Sequence, residues 1–295
     1  MKNTTHTTVL LDETVDGLNL KEADTAIDAT TGMGGHAEKL VEAVGEQGTV
    51  LMVDADESSL ASARERLKNA KGNLIYLHGN FRNLREIAAS AGITAAQGII
   101  FDLGWHAGQL NSGKGISFNA DEPLDMRLGI GAATTAADII GNWHEDDLAS
   151  LFREYGEERF AGRIARVIVE ARRKRDITTA AELAAVITSI VSRNSRIHPA
   201  TRVFQALRIA VNDEFAALKE GLAAAIDLLT PSGRVAVISF HSLEDRIVKQ
   251  AFRAAEDADV GTRITKKPMA PTRAEQIANP RARSAKLRIF EKKHA

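Results

Sequence analysis

Three apolar runs in the first hundred residues each end in an acidic residue. Residues 25–27 lead into Asp28-Ala29-Thr30-Thr31-Gly32-Met33-Gly34-Gly35-His36, residues 49–53 end in Asp54-Ala55-Asp56, and residues 98–101 end in Asp102-Leu103-Gly104. Stretches with helical spacing of apolar residues lie between them. Such a strand–helix rhythm folds as a parallel sheet with helices on both faces. In an open sheet of this kind, ligands bind outside the carboxyl ends of the strands. The three acidic tips are therefore expected to converge on one crevice. Its floor is glycine-rich and its carboxylates suit a nucleoside.

In detail the pattern predicts strands at 25–28, 49–54, 74–78 and 98–103, and helices at 35–43, 58–67 and 84–91. Asp56 or Ser58 is the expected cap of the second helix. The rhythm then breaks. Residues 104–131, rich in Gly, Asn, Ser and Asp, read as an irregular loop. From 136 to 211 the spacing is helical, with Phe160, Ile164, Val167 and Ala171 on one face. Thr179 and Glu182 form a capping box. Phe204, Leu207, Val211, Phe215, Leu218 and Leu222 continue as one stripe, which predicts a single long helix. After a turn at Pro231-Ser232-Gly233 come a strand at 234–240, a helix at 243–254 and a last strand at 287–291. Residues 1–135 and 204–295 are thus expected to form one α/β domain, and 136–203 an all-helical insertion.

The chain has no cysteine, which removes disulfides, thiolate metal sites and iron–sulfur chemistry. Zinc deamination of a base and covalent thiolate attack on a pyrimidine go with them; no metal site is expected. No apolar run approaches the ~18 residues of a membrane span, and the polar start lacks the build of a signal peptide. The expectation is a cytoplasmic protein without a membrane partner. The net charge of −1 hides an asymmetry. Residues 1–152 carry 11 Lys/Arg against 22 Asp/Glu, and 209–260 carry 5 against 9. By contrast, 153–208 carry 12 against 6 and the tail 261–295 carries 10 against 2. Two basic islands point to a polyanion, although solvated helix faces produce the same pattern.

Gly32, Gly34 and Ala37 match G-x-G-x-x-A between a strand and a helix. That spacing gives a tight turn, close backbone approach by a ligand, and close helix–strand packing. Asp54, at the next strand's end, is placed to accept both hydroxyls of a ribose; capping the next helix is its other role. His36 would crowd a pyrophosphate at this helix start, and it suits a ligand with an amino-acid tail better. Phe81, after the third strand, either lies on an adenine or plugs the core. Asp102 faces the reacting groups or caps a turn. Ser242 to Asp245 resembles a capping box, beside which His241 is a candidate lining residue. Arg159, Arg163 and Arg166 share a basic helix with Arg172, Arg173, Lys174 and Arg175. Arg281, Arg283, Lys286 and Arg288 alternate near the last strand, an arrangement that projects them to one side.

Long stretches in order resemble the bacterial small-subunit ribosomal RNA methyltransferase H family (the MraW family). They are residues 6–13, Gly32 to His36, Asp102-Leu103-Gly104, Pro123-Leu124-Asp125-Met126-Arg127, 155–160, 198–208, 238–246 and 279–284. The resemblance implies a Rossmann-like S-adenosylmethionine-dependent methyltransferase sheet with an inserted helical domain that recognises RNA. It implies S-adenosyl-L-methionine as cofactor and N4 of a cytidine in the decoding region (P site) of 16S ribosomal RNA as acceptor. The partner is that RNA or the small ribosomal subunit. Donor binding carries over onto Gly34, Gly35, His36, Asp54, Phe81, Asp102 and Gln109. Candidate RNA contacts are Arg159, Arg163, Arg166, Arg202, Arg281, Arg283 and Lys286. Asp102 is the candidate to polarise the acceptor amine, with His106 or His241 as the alternatives.

One departure stands out. After Asp-Leu-Gly the family reads Val-Ser-Ser-Pro-Gln-Leu, whereas this chain has Trp105-His106-Ala107-Gly108-Gln109-Leu110. Two other readings stay open here. A catalytically silent RNA-binding paralogue accommodates the altered loop. An NAD-dependent dehydrogenase accommodates G-x-G-x-x-A with Asp54.

Overall fold

A computed structural model describes residues 8–104, 113–118, 121–128, 133–191 and 198–294. The chain divides into two compact units, Met1–His106 with Phe215–Ala295, and Ala107–Glu214.

The first unit holds a seven-stranded sheet. Its strands are β1 (Thr25–Asp28), β2 (Thr49–Asp54), β3 (Asn73–His78), β4 (Ala96–Asp102), β5 (Leu229–Ser239), β6 (Gly261–Arg263) and β7 (Lys286–Lys292). The order across the sheet is β3-β2-β1-β4-β5-β7-β6. β1 to β5 run parallel, β7 is antiparallel to β5, and β6 is antiparallel to β7. The residues explain the order. β2 and β4 are nearly continuous apolar runs, which suit strands covered on both faces. β3 starts with Asn73, ends with His78 and lies at the edge, exposed at both ends. From β1 the chain builds outward to β3, then returns to lay β4 on the other side of β1. That reversal is the switch point where an open sheet leaves a crevice at its carboxyl edge.

Helices α1 (Leu11–Leu18), α2 (Gly35–Val44) and α3 (Glu57–Arg66) cover one face, where Val15, Leu18, Leu40, Val44 and Leu60 are buried against Val50, Met52 and Ile100. Helix α4 (Leu84–Ser90) lies on the other face with the later helices α10 (Glu214–Leu228) and α11 (Ser242–Asp257). There Leu84, Leu218, Leu222 and Phe252 surround Ile99, Phe101 and Val237.

The second unit contains α5 (Ala136–Asn142), α6 (Glu145–Glu154), α7 (Ala161–Arg172), α8 (Ala180–Thr188) and α9 (Thr201–Asn212). The helical segment expected at 136–203 lies inside it. The unit also takes in the loop before α5. Leu124 N–H donates to Thr178 O and Ala180 N–H to Glu122 O, while Asn212 holds Met126 O and Leu128 N–H through its amide.

Several local expectations change. Helix α1 is not apparent in the pattern. It is short, acidic and bounded by left-handed Leu10 (φ 51°) and Asn19 (φ 54°), and it forms because Val15 and Leu18 bury on the sheet. Gly17 sits so close to β7 that a Cβ would meet Ile289 Cδ1 at 2.3 Å. The single long helix is instead α9 and α10, divided at left-handed Asp213 (φ 48°); aspartate tolerates that conformation. The turn at Pro231-Ser232-Gly233 is absorbed into β5 as an irregularity, where the register jumps between Ala96↔Leu229 and Gly98↔Arg234. Asp56, not Ser58, caps α3. Thr179 and Glu182 do close a capping box on α8.

At α11 the box is shifted by one residue. His241 is the N-cap and Glu244 its partner, with Glu244 Oε2 accepting from Phe240 N–H (2.8 Å) and His241 N–H (3.3 Å). Asp245 is thereby released toward β7. It accepts from Arg288 Nε (2.7 Å) and from Lys286 Nζ (3.2 Å). Burial works against the Asp245 carboxylate, but Arg288 and Lys286 together outweigh it and hold its pKa below the ordinary value. Arg288 is itself buried, so removing its partner leaves an uncompensated internal charge. Asp245→Ala is expected to lower stability by about 3–5 kcal/mol, read from the denaturant midpoint. A loss under about 1 kcal/mol, the size of an exposed pair, would contradict it.

Candidate functional site

The parallel register brings Asp28, Asp54, His78, Asp102 and Ser239 to the same edge of the sheet, each as the last residue of its strand. The loop after β1 ties three of these tips together. Asp28 ends β1 and is followed by two threonines. Thr30 N–H donates to Asp28 Oδ1 (3.2 Å), and Thr30 Oγ1 accepts from Asp102 N–H at the end of β4 (2.6 Å). Thr31 N–H and hydroxyl both donate to Val53 O in β2, at 3.0 and 3.1 Å. Gly32 N–H then donates to Asp54 Oδ2 (2.7 Å), while Asp54 Oδ1 accepts from Asp56 N–H (2.8 Å).

Two of the glycines have positive φ, Gly32 at 52° and Gly34 at 81°. Such angles are cheap only without a Cβ. Gly35 is required for a different reason. A Cβ there would fall 1.8 Å from Thr8 Oγ1, so the N-terminal arm lies directly on the loop. The same arm is held by Leu10 N–H donating to Glu275 Oε1 (2.8 Å).

Helix α2 starts at Gly35 and places His36 in its first turn, 4% exposed, with Nδ1 3.6 Å from Asp102 Oδ2. Burial raises the Asp102 pKa to about 7; a hydrogen bond from Gly104 opposes this and the Glu244 charge adds to it. Asp28 is more extreme. It is 1% exposed, and burial raises its pKa to about 8, against the Thr30 hydrogen bond and with help from Asp102 and Asp54. Asp28 Oδ2 and Asp102 Oδ1 are buried without a hydrogen-bond partner among the described residues. Buried acceptors left in this state await a donor. An ammonium or an exocyclic amine fits the ionised form of either group, and burial holds that form back until such a partner is present.

Of the residues singled out in the sequence, Gly34, Gly35, His36, Asp54 and Asp102 gather here. Phe81 lies in the turn after β3, edge-on to Phe101 with centroids 5.5 Å apart. It is half-buried and packed on Gly221, whose missing Cβ would meet its ring at 2.8 Å. Gln109, with Trp105 and His106, lies outside the described residues. His241 caps α11, where its Nδ1 accepts from Glu244 N–H (3.4 Å). The two threonines and Glu244 are the residues that pattern reading missed. Hydroxyls two and three places after a strand's acidic tip are the available signal, since such side chains bond nearby backbone.

Among the basic candidates, Arg159, Arg163 and Arg166 are exposed on or beside α7, and Arg166 pairs with Glu145 at 3.4 Å. Arg172 instead donates to Ile140 O and Trp143 O at the end of α5, and Arg175 pairs with Glu182 (2.8 Å). Arg202 donates to Glu157 O (3.0 Å). The alternation near β7 does not give one face. Arg281 and Arg283 are exposed in a 3-10 turn (Pro280–Ser284), whereas Lys286 and Arg288 face Asp245.

The profile of the MraW methylase family matches residues 3–293. The chain is 43% identical over 306 residues to the "Ribosomal RNA small subunit methyltransferase H" of Brevibacillus brevis, covering 97% of this chain and 98% of that one. It is 45% identical over 307 residues to the protein of the same name from Thermomicrobium roseum, covering 98% and 94%. A solved structure of a putative rRNA-methylase from Clostridium thermocellum shares 14% identity at a TM-score of 0.48, over 98% of this chain and 100% of that one.

Asp28 has a pH signature. Its folded pKa of about 8 exceeds the ordinary 3.8, so the folded state holds the proton longer. Stability therefore falls as pH rises through that window, by at most ~1.4 kcal/mol per pH unit. Asp28→Asn is expected to lose less stability between about pH 5 and pH 8 than the parent, compared by urea midpoints. Equal losses in the two proteins would remove the buried proton from Asp28.

Proposed function

Because this chain belongs to the MraW methylase family, we propose that it transfers a methyl group from S-adenosyl-L-methionine to N4 of a cytidine in the decoding region of 16S ribosomal RNA. One observation carries the reading. A glycine turn is clasped to Asp54 beside two buried carboxyl groups, Asp28 and Asp102, each with one unpartnered oxygen among the described residues, at the switch point of a parallel sheet.

Asp54 would take the ribose hydroxyls, and Gly34 and Gly35 would join the donor set through the backbone of the turn, their side-chain positions being filled by Ala63 and Thr8. His36, Phe81 and Gln109 complete the donor set, Phe81 by lending its ring to the adenine. When bound, the donor supplies a methyl already activated by its sulfonium. The chain's task is then chiefly orientation, which supplies up to ~7–11 kcal/mol in well-positioned reactions. Asp102 accepts a hydrogen bond from the acceptor amine, and its pKa near 7 allows it to hold the proton that the amine releases. His36 lies against the other Asp102 oxygen, with Nδ1 at 3.6 Å. His241 serves as a helix cap, and we assign it no part in transfer.

The helical segment 136–203 is the proposed RNA-recognition element, through Arg159, Arg163, Arg166 and Arg202, with Arg281, Arg283 and Lys286 in the tail. Each phosphate contact adds about −0.7 to the salt slope on a single strand. Acting on ribosomal RNA places the protein in the cytoplasm.

The test is methylation of small subunits from a strain that lacks the enzyme, with the modified nucleoside identified by mass. N4-methylcytidine is the expected product. RNA retention without label transfer would favour the silent paralogue, and tight calorimetric binding of NAD in place of S-adenosylhomocysteine would favour the dehydrogenase. Asp102→Ala is expected to slow transfer by at least about 10²-fold while RNA retention persists; unchanged turnover would exclude Asp102 from the chemistry.

A further inference from the structure

Phe160 immediately precedes α7 and is 45% exposed, a poor use of a large apolar side chain. The backbone that presents it is closely held. Glu157 is left-handed at φ 50° without being glycine. Gly156 admits no side chain, since a Cβ would lie 2.5 Å from Arg202 O and 2.7 Å from Phe152 O. Arg202 Nη1 donates to Glu157 O (3.0 Å), Gln205 Nε2 to Tyr155 O (3.1 Å) and Glu158 N–H to Phe152 O (3.0 Å). Glu158, a carboxylate only 7% exposed, accepts from the Phe160 N–H itself (2.8 Å). Strained backbone and a buried carboxylate persist where the surroundings over-determine them, and such places are commonly functional. Here they fix the position of one exposed ring.

That ring has cationic company. The Arg163 guanidinium carbon lies 5.7 Å from its centroid, and Arg163 Nη2 also reaches Ile190 O at 3.5 Å. Arg159 and Arg166 are exposed on either side in sequence. Glu145 pairs with Arg166 and offsets part of its charge, Glu158 is buried beneath the loop, and Glu154, Glu157 and Glu170 are exposed, so the cationic character at the ring rests chiefly on Arg163 and Arg159. An exposed aromatic ring among arginines is the pairing that holds unpaired nucleobases, the ring by stacking and the cations through phosphate.

We propose that Phe160 and Arg163 form a stacking platform for one unpaired base of the substrate RNA, with Arg159 and Arg166 on the flanking phosphates. This rests on RNA being the substrate. It assigns Phe160 a role that depends on base planes and not on charge.

The proposal is tested by fluorescence anisotropy of the full chain with two oligomers, an unstructured RNA of about 12 nucleotides and one of equal phosphate count with abasic sites. Phe160→Ala is expected to weaken the base-bearing RNA roughly tenfold or more and to leave the abasic oligomer as in the parent. Phe160→Trp restores the difference. The salt slope stays unchanged in Phe160→Ala and becomes shallower by about 0.7 in Arg159→Ala. The helical circular-dichroism signal and its thermal melting confirm that each variant still folds in the unit that carries the substitution. Equal weakening on both oligomers would make Phe160 a structural residue and overturn the platform. So would parental affinity for the base-bearing RNA, as expected if the ring docks a protein. Should the parent bind neither oligomer, the RNA-directed function fails with it.

Discussion

The site depends on the pairing of a four-residue strand. β1 has neighbours on both sides, with Asp28 in register with Met52 and with Ile100. That double pairing sets the heights of β2 and β4 relative to one another. Asp54 and Asp102 therefore end two residues beyond Asp28, on either side of the loop that leaves β1. Thr30 can reach β4 and Gly32 can reach Asp54 only because the sheet has placed them so. A shift of one residue would also turn every buried β1 side chain to the wrong face. The register is thus protected by core packing that has no part in the chemistry.

Charge in this crevice is arranged by denial of water more than by pairing. Asp28 and Asp102 are pushed toward the neutral form by burial, and Asp54 is satisfied by two backbone N–H groups. One site thus offers a hydrogen-bonded carboxylate at one end and proton-holding carboxyls at the other. Environments that differ for the same residue type are how a fold separates binding from proton transfer.

Much of this was legible in the sequence because it is written in period and punctuation. Apolar runs ending in Asp mark β1, β2 and β4, and G-x-G-x-x-A marks the turn into α2. What was not legible depends on partners far along the chain. Helix α1 has too little pattern to announce itself, and it exists through burial against β4, β5 and β7. The stripe from Phe204 to Leu222 continues across Asp213, so spacing alone does not reveal the break. Phe81 divides its surface between Phe101 and Gly221, neither adjacent in sequence. The cap at His241 in place of Ser242 turns on the geometry of a single residue. Arg281 to Arg288 alternates as a strand would, yet a 3-10 turn occupies its first half.

Thr8 takes the space that a side chain at position 35 would need, and Leu10 two residues on is bonded to Glu275 near the other terminus. Residues 8–10 are therefore part of the wall of the glycine turn, and Glu275, 265 residues beyond Leu10 in sequence, fastens them there. A change at Thr8 or Glu275 reaches the glycine turn without touching any residue of the turn itself. Segments remote in sequence thus act as a latch on backbone that holds positive φ at Gly32 and Gly34.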